Sequence, residues 1–259
     1  MTRRVACVLA HPDDDTYGVS GSLASIVGDD VEVTLVMTTS GDAGQIADPI
    51  LATRETLGTV REAEDRASWA ALGLEPEIHF LRYPDGGVAD VAQESLVAVY
   101  LDLLQRAAPD VVVTFGPDGI TGHSDHVAVG AAATAAFHSA RAAGADGFHR
   151  LLHICFPQSR LDRFNELLRV RGLPAIDSTQ PYQPRGVPDE SVGMIVDCSN
   201  VYDRKLDALR AHRTQAELQD VPFEVWPEIL ATEAFVVGFP ESHAGGAALT
   251  GLFDGLLGS

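Results

Sequence analysis

The chain has few cysteines, few basic residues and no long apolar run, and each shortage excludes a class of protein. Its three cysteines are far apart and none belongs to a CxxC pair, so neither a disulfide framework nor a thiolate zinc site is indicated. The 18 Lys and Arg are outnumbered by 37 Asp and Glu, which gives a net charge of −19. This charge argues against a nucleic-acid or anionic-membrane partner, because both need a basic surface.

Apolar segments are all shorter than the ~18 residues that a membrane-spanning helix needs. The apolar stretch near the N-terminus, Val5–Leu9, leads straight into carboxylates, which is not typical of a signal peptide. We therefore expect a cytoplasmic protein with a small-molecule partner and no membrane partner. Assembly into a homo-oligomer stays open.

Short, β-rich apolar runs alternate with helical patterns along the first part of the chain. Strands alternating with helices predict βαβ units, and runs that hardly alternate predict strands covered on both faces. The predicted fold class is therefore α/β, a Rossmann-like, mostly parallel sheet with helices on both faces. The strands are predicted at Val5–Leu9, Val31–Thr39, Glu77–Leu81, Val111–Phe115 and Leu151–Phe156, and the helices at Arg54–Leu72, Val91–Ala107 and Val127–Ala142.

After Phe156 the pattern becomes less regular, although no linker divides the chain. We predict a helix at Ser159–Val170, a long loop at Gly172–Pro188, a late strand at Ser191–Cys198 and a helix at Val201–Leu218. The chain is interpreted as one domain, 1–259. Residues 1–157 form its core βα units, and residues 158–259 form a C-terminal extension that completes the sheet and the substrate site.

Two polar clusters follow predicted strands, and ligands of open parallel sheets bind at the carboxyl ends of strands. The run His11–Asp15 holds one imidazole and three carboxylates after the first strand, and Gly122–His126 adds two more histidines after Val111–Phe115. A catalytic zinc site commonly uses three N/O ligands and keeps one position for water. The clusters therefore predict a metal site for Zn²⁺, with Fe²⁺, Co²⁺ or Mn²⁺ as substitutes.

These clusters resemble the HPDDE and HPDH signatures of the LmbE-like, or PIG-L, zinc de-N-acetylases. Similar residues occur between and beyond the motifs, so that the resemblance covers residues 5 to about 130 well and the rest loosely. It implies an amidase that removes an acetyl or other acyl group from an N-acetylglucosamine-type amino sugar conjugate. The further similar segments are Ser40–Gly44, Arg61–Glu64, Ala71–Gly73, Pro84–Gly86, Phe115–Gly119 and the late Lys205, His212 and Gln215.

The resemblance also implies a role for individual residues. Asp13 would be the general base that activates the attacking water. His123 would be the acid, or the charge that stabilises the oxyanion, and Asp125 would orient and polarise it. Such roles fit amide hydrolysis, which needs a base beside the water and a donor for the leaving nitrogen. The implied metal ligands are His11, Asp14 and His126.

On the substrate side, the resemblance implies three further contacts. Arg61 and Asp85 occupy positions that resemble sugar-hydroxyl contacts, and His212 is expected to enter the site from the late helix. The loop Gly172–Pro188 is where we expect substrate-specific structure, since long loops are often functional.

The chain departs from the family pattern at three positions. Asp15 replaces the usual Glu of the first motif, which predicts a change in helix capping or in the support of the site. Ser124 replaces the usual proline of the second motif, which predicts a slightly looser loop because proline fixes φ. Thr121 stands where some sugar-thiol members carry Tyr, which weakens an assignment to that subgroup.

Other functions stay open or are disfavoured by particular residues. A nucleotide-binding oxidoreductase needs GxGxxG after the first strand, and a serine hydrolase needs GxSxG; Gly18–Ser22 is a near miss to the latter at the wrong place. A metal phosphoesterase remains the alternative enzyme, since His/Asp clusters also build two-metal sites. A catalytically inactive sugar-binding protein is the non-enzyme alternative.

Overall fold

The computed structural model describes residues 2–26, 30–215, 225–240 and 248–256. Within these ranges, eight strands form a sheet of order β3-β2-β1-β4-β5-β8-β7, with β6 paired to β5 beside this path. The strands are β1 (Arg3–Leu9), β2 (Val31–Thr39), β3 (Glu77–Tyr83), β4 (Val111–Phe115), β5 (Arg150–Pro157), β6 (Gly186–Val187), β7 (Met194–Asp197) and β8 (Thr232–Phe239).

The sheet is mostly parallel, as the sequence predicts. Strands β3, β2, β1, β4 and β5 run parallel to one another, whereas β8 is antiparallel to both of its neighbours, β5 and β7. No strand was predicted at Thr232–Phe239, where the structure has β8. Its Ala-Phe-Val-Val segment has the composition of a strand. The alternation of strands and helices that revealed the parallel strands does not reveal an antiparallel strand placed between β5 and β7.

Helices cover both faces of the sheet. On one face α4 packs against α6, and both contact β1; on the other, α3 packs against α8, with α1 and α2 beside them. The last long helix, predicted at Val201–Leu218, ends at Ala211, so the prediction was wrong over 212–215, and its part over 216–218 lies outside the described residues. The helices are α1 (Asp14–Gly18), α2 (Ser20–Ala24), α3 (Leu57–Leu72), α4 (Gln93–Ala107), α5 (Gly119–Gly122), α6 (Ser124–Ala142), α7 (Gln158–Val170), α8 (Tyr202–Ala211) and α9 (Trp226–Leu230).

The central strands are almost entirely buried. Val5–Leu9 in β1 and all of β4 are inaccessible to solvent or nearly so, and they join helix residues in one large hydrophobic cluster. Burial of apolar side chains from both faces stabilises the sheet at roughly 25 cal/mol per Å². Across the described residues, no helix combines the length and apolar character needed to cross a membrane.

The strand order places both polar clusters at one point. From β1 the chain continues to β2 and β3 on one side, while β4 and β5 lie on the other, so the order reverses between β1 and β4. Ligands of such sheets bind at this reversal, outside the carboxyl ends of the strands. The loop after β1 carries His11 and the loop after β4 leads to His126, which brings the clusters together.

Candidate metal and active site

The first cluster is held by a sharp turn between β1 and α1. Asp13 has a positive φ of 115°, a conformation that a non-glycine residue adopts at an energetic cost and that is concentrated at functional sites. Directly after it, Asp14 begins α1 and its Oδ2 accepts a hydrogen bond of 2.7 Å from the His11 backbone N–H. The turn therefore directs His11 and Asp14 toward the same space.

The second cluster lies at the start of α6. His123 is the N-cap residue, and His126 follows in the first turn. The His126 ring stacks on Phe115, the last residue of β4, with 4.1 Å between ring centroids and 10° between planes. Its Nδ1 lies 3.0 Å from the Gly119 carbonyl oxygen. These contacts fix the orientation of the ring and leave Nε2 facing the first cluster.

Three predicted ligands form a compact triangle of donor atoms. His11 Nδ1 lies 3.1 Å from His126 Nε2, His126 Nε2 lies 3.3 Å from Asp14 Oδ1, and His11 Nδ1 lies 3.6 Å from Asp14 Oδ2. Tetrahedral coordination at Zn–N and Zn–O distances of about 2.0–2.1 Å separates ligand atoms by about 3.3 Å. The His11–His126 and His126–Asp14 distances are close to this value, and Asp14 faces His11 through its other oxygen, Oδ2.

The tautomers of the two histidines fit a metal as well. His126 Nδ1 is oriented to donate its proton to Gly119, which leaves a lone pair on Nε2. His11 Nε2 lies 3.0 Å from an Asp85 oxygen and 3.5 Å from an Asp125 oxygen, without a well-formed hydrogen bond to either. A proton on Nε2 is therefore favoured by charge, and Nδ1 is the nitrogen that would bind a metal. His11 Nδ1 and His126 Nε2 lie 3.1 Å apart, within hydrogen-bond distance, and a cation bound between them would take the place of the proton that they share. Carboxylate or carbonyl partners on the far nitrogen are the usual support of metal-binding histidines.

The electrostatics of the site favour a cation. Burial lowers the pKa of His11, but the carboxylates of Asp125, Asp14 and Asp85 outweigh burial and raise it well above its usual value. Burial also lowers the pKa of His126, which keeps the ring neutral as a ligand must be. A bound metal would therefore displace a proton from His11, and its positive charge would replace that proton's attraction to the carboxylates of Asp14, Asp85 and Asp125.

Asp13 lies beside this triangle in a position suited to a base. Its side chain is 20% exposed, and Oδ2 accepts a hydrogen bond of 3.0 Å from Nη2 of Arg61. Arg61 was expected to contact a sugar hydroxyl, but its side chain is 4% exposed and it also donates to the carbonyls of Pro12 and Gly41. The structure thus places Arg61 on the protein side of Asp13.

Gly41 makes this position of Arg61 possible. It has a φ of +65°, and a Cβ at this residue would lie 2.2 Å from Nη1 of Arg61. Only glycine fits both constraints. The loop that carries Gly41 therefore packs closely against the arginine.

His123 and Asp125 contact each other differently from the expected arrangement. The backbone N–H of Asp125 donates to Nδ1 of His123 at 3.2 Å. Its carboxylate accepts hydrogen bonds from the backbone N–H groups of Gly86 and Val88 and faces His11. A backbone donor at Nδ1 puts the ring proton on Nε2. The backbone of Asp125 therefore orients His123, while its carboxylate faces His11 and binds the backbone of Gly86 and Val88.

The other two predicted substrate residues differ in position. Asp85 is part of the site: Oδ2 accepts a hydrogen bond of 2.8 Å from Ala43, and Oδ1 lies beside His11. Burial raises the pKa of Asp85, but His11 and the Ala43 N–H outweigh it and lower the value to about 2. His212 is 2% exposed, and its Nε2 bonds Thr16 Oγ1 at 3.0 Å. His212 is therefore buried in the protein and does not face the space where a sugar would bind.

His212 belongs to a buried polar cluster at α1 that is separate from the two clusters described above. One nitrogen of its ring and carboxylate oxygens of Asp15 and Asp65 lie within 4.8 Å of one another. Asp15 accepts hydrogen bonds from Trp69 Nε1 and the Thr16 backbone. Asp15 thus supports α1 and lies outside the donor triangle.

Two residues beside His123 were not singled out in the sequence. Tyr182 and Arg185 come from the long loop after α7, and the Tyr182 ring centroid lies 4.8 Å from that of His123. The loop was predicted to hold substrate-specific structure, but no motif indicated which of its residues would reach the site. The two residues reach the site because the chain returns to pair with β5 as β6, directly after Arg185.

Known proteins give the chain a family. The sequence profile of the PIG-L family, described as GlcNAc-PI de-N-acetylase, matches residues 6–137. A 1D-myo-inositol 2-acetamido-2-deoxy-alpha-D-glucopyranoside deacetylase from Tsukamurella paurometabola is 32% identical over 252 residues, covering 83% of this chain and 84% of the relative.

Solved structures confirm the fold. The N,N'-diacetylchitobiose deacetylase from Pyrococcus horikoshii aligns with a TM-score of 0.59 at 23% identity, over 91% of this chain and 83% of that one. The 4-carboxy-2-hydroxymuconate hydratase from Pseudomonas putida aligns at 0.63 and 17%, over 92% and 97%. A hydratase on the same fold means that site residues, and not the fold, decide the reaction. By its sequence, the chain belongs to the PIG-L family of de-N-acetylases.

Proposed function

We propose that the protein is a metal-dependent hydrolase that removes an acetyl or other acyl group from the nitrogen of an N-acetylglucosamine-type conjugate. Family membership supports the reaction, and the name of the Tsukamurella relative supports the substrate class. The observation that carries the proposal is the donor triangle of His11, Asp14 and His126 with Asp13 beside it.

In this proposal His11, Asp14 and His126 hold a zinc ion, and Fe²⁺, Co²⁺ or Mn²⁺ would suit the same donors. A bound ion of this kind supplies Lewis acidity, which lowers the pKa of a water molecule toward about 7. Nδ1 of His126 is held by the Gly119 carbonyl, and Nε2 of His11 faces the carboxylates of Asp85 and Asp125, an environment that suits metal-binding histidines.

The remaining steps belong to side chains of this chain. Asp13, held by Arg61, takes the proton of the attacking water. His123 presents its Nε2–H to the developing oxyanion. The proton that Asp13 has taken from the water passes to the leaving nitrogen, which needs it in order to depart as an amine. Asp85, at the edge of the donor triangle, is the proposed contact for sugar hydroxyls.

The test combines metal analysis with amine release from a panel of N-acetylglucosaminyl compounds. We expect one metal per chain and turnover that falls about 10²- to 10⁴-fold in both Asp13→Asn and His123→Ala. Asp90→Asn, an exposed carboxylate outside the site, is the matched control. Unchanged turnover in both site variants would contradict the mechanism. Two metals per chain together with phosphate ester cleavage would instead favour a phosphoesterase.

A further inference from the structure

The long loop after α7 is fastened to the second histidine cluster. The Arg185 backbone N–H donates a hydrogen bond of 2.7 Å to the Ile120 carbonyl, and Gly186 and Val187 pair with the end of β5 in parallel register. Ser178 Oγ bonds the Pro184 carbonyl at 2.7 Å within the loop. The loop therefore lies at the same carboxyl edge of the sheet as the proposed catalytic residues.

Tyr182 offers an aromatic surface at the mouth of the site. It is 63% exposed although its ring packs at 4.8 Å from His123, with 41° between the planes. Its φ of 60° is a conformation that a tyrosine adopts at a cost. A large, exposed ring beside His123 is available to stack against the apolar face of a ligand.

Arg185 adds a positive charge next to this ring. Its guanidinium lies against Gly122, the residue before His123: a Cβ at Gly122 would be 2.2 Å from Nη2, and Gly122 has a φ of +73°. The side chain is exposed. Among the described residues no carboxylate lies within ion-pair distance of this arginine, in a chain with 37 acidic residues and a net charge of −19.

We propose that Tyr182 and Arg185 form a subsite for the aglycone, and that the preferred aglycone carries an anionic group, a carboxylate or a phosphate. This inference rests on the proposed function. The planar fork of an arginine matches both anions bidentately, and the tyrosine ring covers the apolar part of the same group. A neutral aglycone would use the ring and leave the arginine unpaired.

The test uses two substrates that differ in one charge. These are an N-acetylglucosaminide of a hydroxy acid and the methyl ester of the same compound, with N-acetylglucosamine 1-phosphate as the phosphate probe. In the wild type we expect a KM about tenfold lower for the acid than for the ester, since a hydrogen bond to a charged group contributes about that factor. The preference should shrink as salt is raised, because the arginine is exposed. A lower KM for the 1-phosphate than for the ester would identify phosphate as the anion.

The variants separate the two contributions. Arg185→Gln should remove the preference for the acid while kcat changes little, and Tyr182→Ala should raise KM severalfold for acid and ester alike. Arg171→Gln, an exposed arginine at the start of the same loop, is the control. Equal KM values for the three probes in the wild type, or a preference that survives Arg185→Gln, would overturn the inference while amine release still supports the deacetylase.

Equilibrium binding keeps the two proposals distinguishable. If the metal-loaded wild type releases no amine from any probe, the proposed function fails. Binding of the acid and of the 1-phosphate to wild type and to Arg185→Gln then tests the subsite by itself. Weaker binding of both anions by the variant supports it, and equal binding overturns it.

Discussion

Single hydrogen bonds decide what each histidine of the site can do. A carbonyl at Nδ1 of His126 and a backbone N–H at Nδ1 of His123 impose opposite tautomers on two rings three residues apart. The first ring is thereby prepared to bind a metal and the second to donate a hydrogen bond from Nε2. Identical residue types therefore have different chemistry because their second nitrogens meet different partners.

Asp125→Asn tests the support of His11. The amide keeps the shape of the side chain but removes the negative charge 3.5 Å from His11 Nε2. We expect metal affinity to fall about 10- to 100-fold, as is usual when the outer partner of a metal-binding histidine is lost. Competition with a chromophoric chelator measures the affinity, with Asp90→Asn as the exposed control. Unaltered affinity would mean that the carboxylate serves only the turn at Gly86–Val88.

Arg61→Lys tests whether that residue positions Asp13 or holds the sugar. A lysine cannot span the carboxylate and the two carbonyls that the guanidinium contacts. We expect kcat to fall about 10- to 100-fold, as for a displaced catalytic group, with KM nearly constant. Steady-state kinetics decide the matter, since a rise in KM at constant kcat is the signature of a lost sugar contact.

At the level of elements, one buried ion pair links three segments that are distant in sequence. Glu233 of β8 accepts hydrogen bonds from the backbone N–H groups of Gly21 and Ser22 in α2 and pairs with Lys205 of α8. Both charged side chains are almost fully buried. This network ties the antiparallel strand to the helices behind the first cluster.

Glu233→Gln should destabilise the fold strongly. Lys205 would keep its charge in a buried place without its partner, which typically costs about 3–5 kcal/mol of the free energy of unfolding. Urea denaturation followed by circular dichroism measures this loss. The double variant Lys205→Met/Glu233→Gln removes the orphaned charge and should recover part of the stability, and a double variant no more stable than the single one would argue against this explanation.

At the scale of the whole molecule, we expect the frame of the site to form without the ion. The donor triangle is assembled by loops at the carboxyl edge of a sheet whose central strands are buried in the main apolar cluster. Folding free energy comes mainly from that burial, so the positions of the loops follow from the sheet order.

Removal of the metal should therefore abolish activity and leave the fold. We expect a chelator to stop amine release while the far-ultraviolet circular dichroism spectrum is unchanged. Added Zn²⁺ should raise the melting temperature, since a ligand at 100 times its Kd stabilises by about 2.7 kcal/mol. Loss of secondary structure on chelation would show that the ion organises the fold itself.

The amino-acid sequence by itself determined the fold class, the five parallel strands, the family and the residues of the donor triangle. Strand periodicity and short motifs are local properties, and they can be read without knowing what packs against them. It also pointed to the long loop after α7, although not to Tyr182 or Arg185.

Only the tertiary structure decided the place of β8, the position of Arg61 behind Asp13, the two-sided role of Asp125 and the burial of His212. Each of these depends on a partner distant in the chain: Arg61 on Pro12 and Gly41, Asp125 on His11, and His212 on Thr16. A motif specifies which chemical groups are present, but hydrogen-bond partners and exposure decide what each group does, and those are set when the sheet brings the loops together.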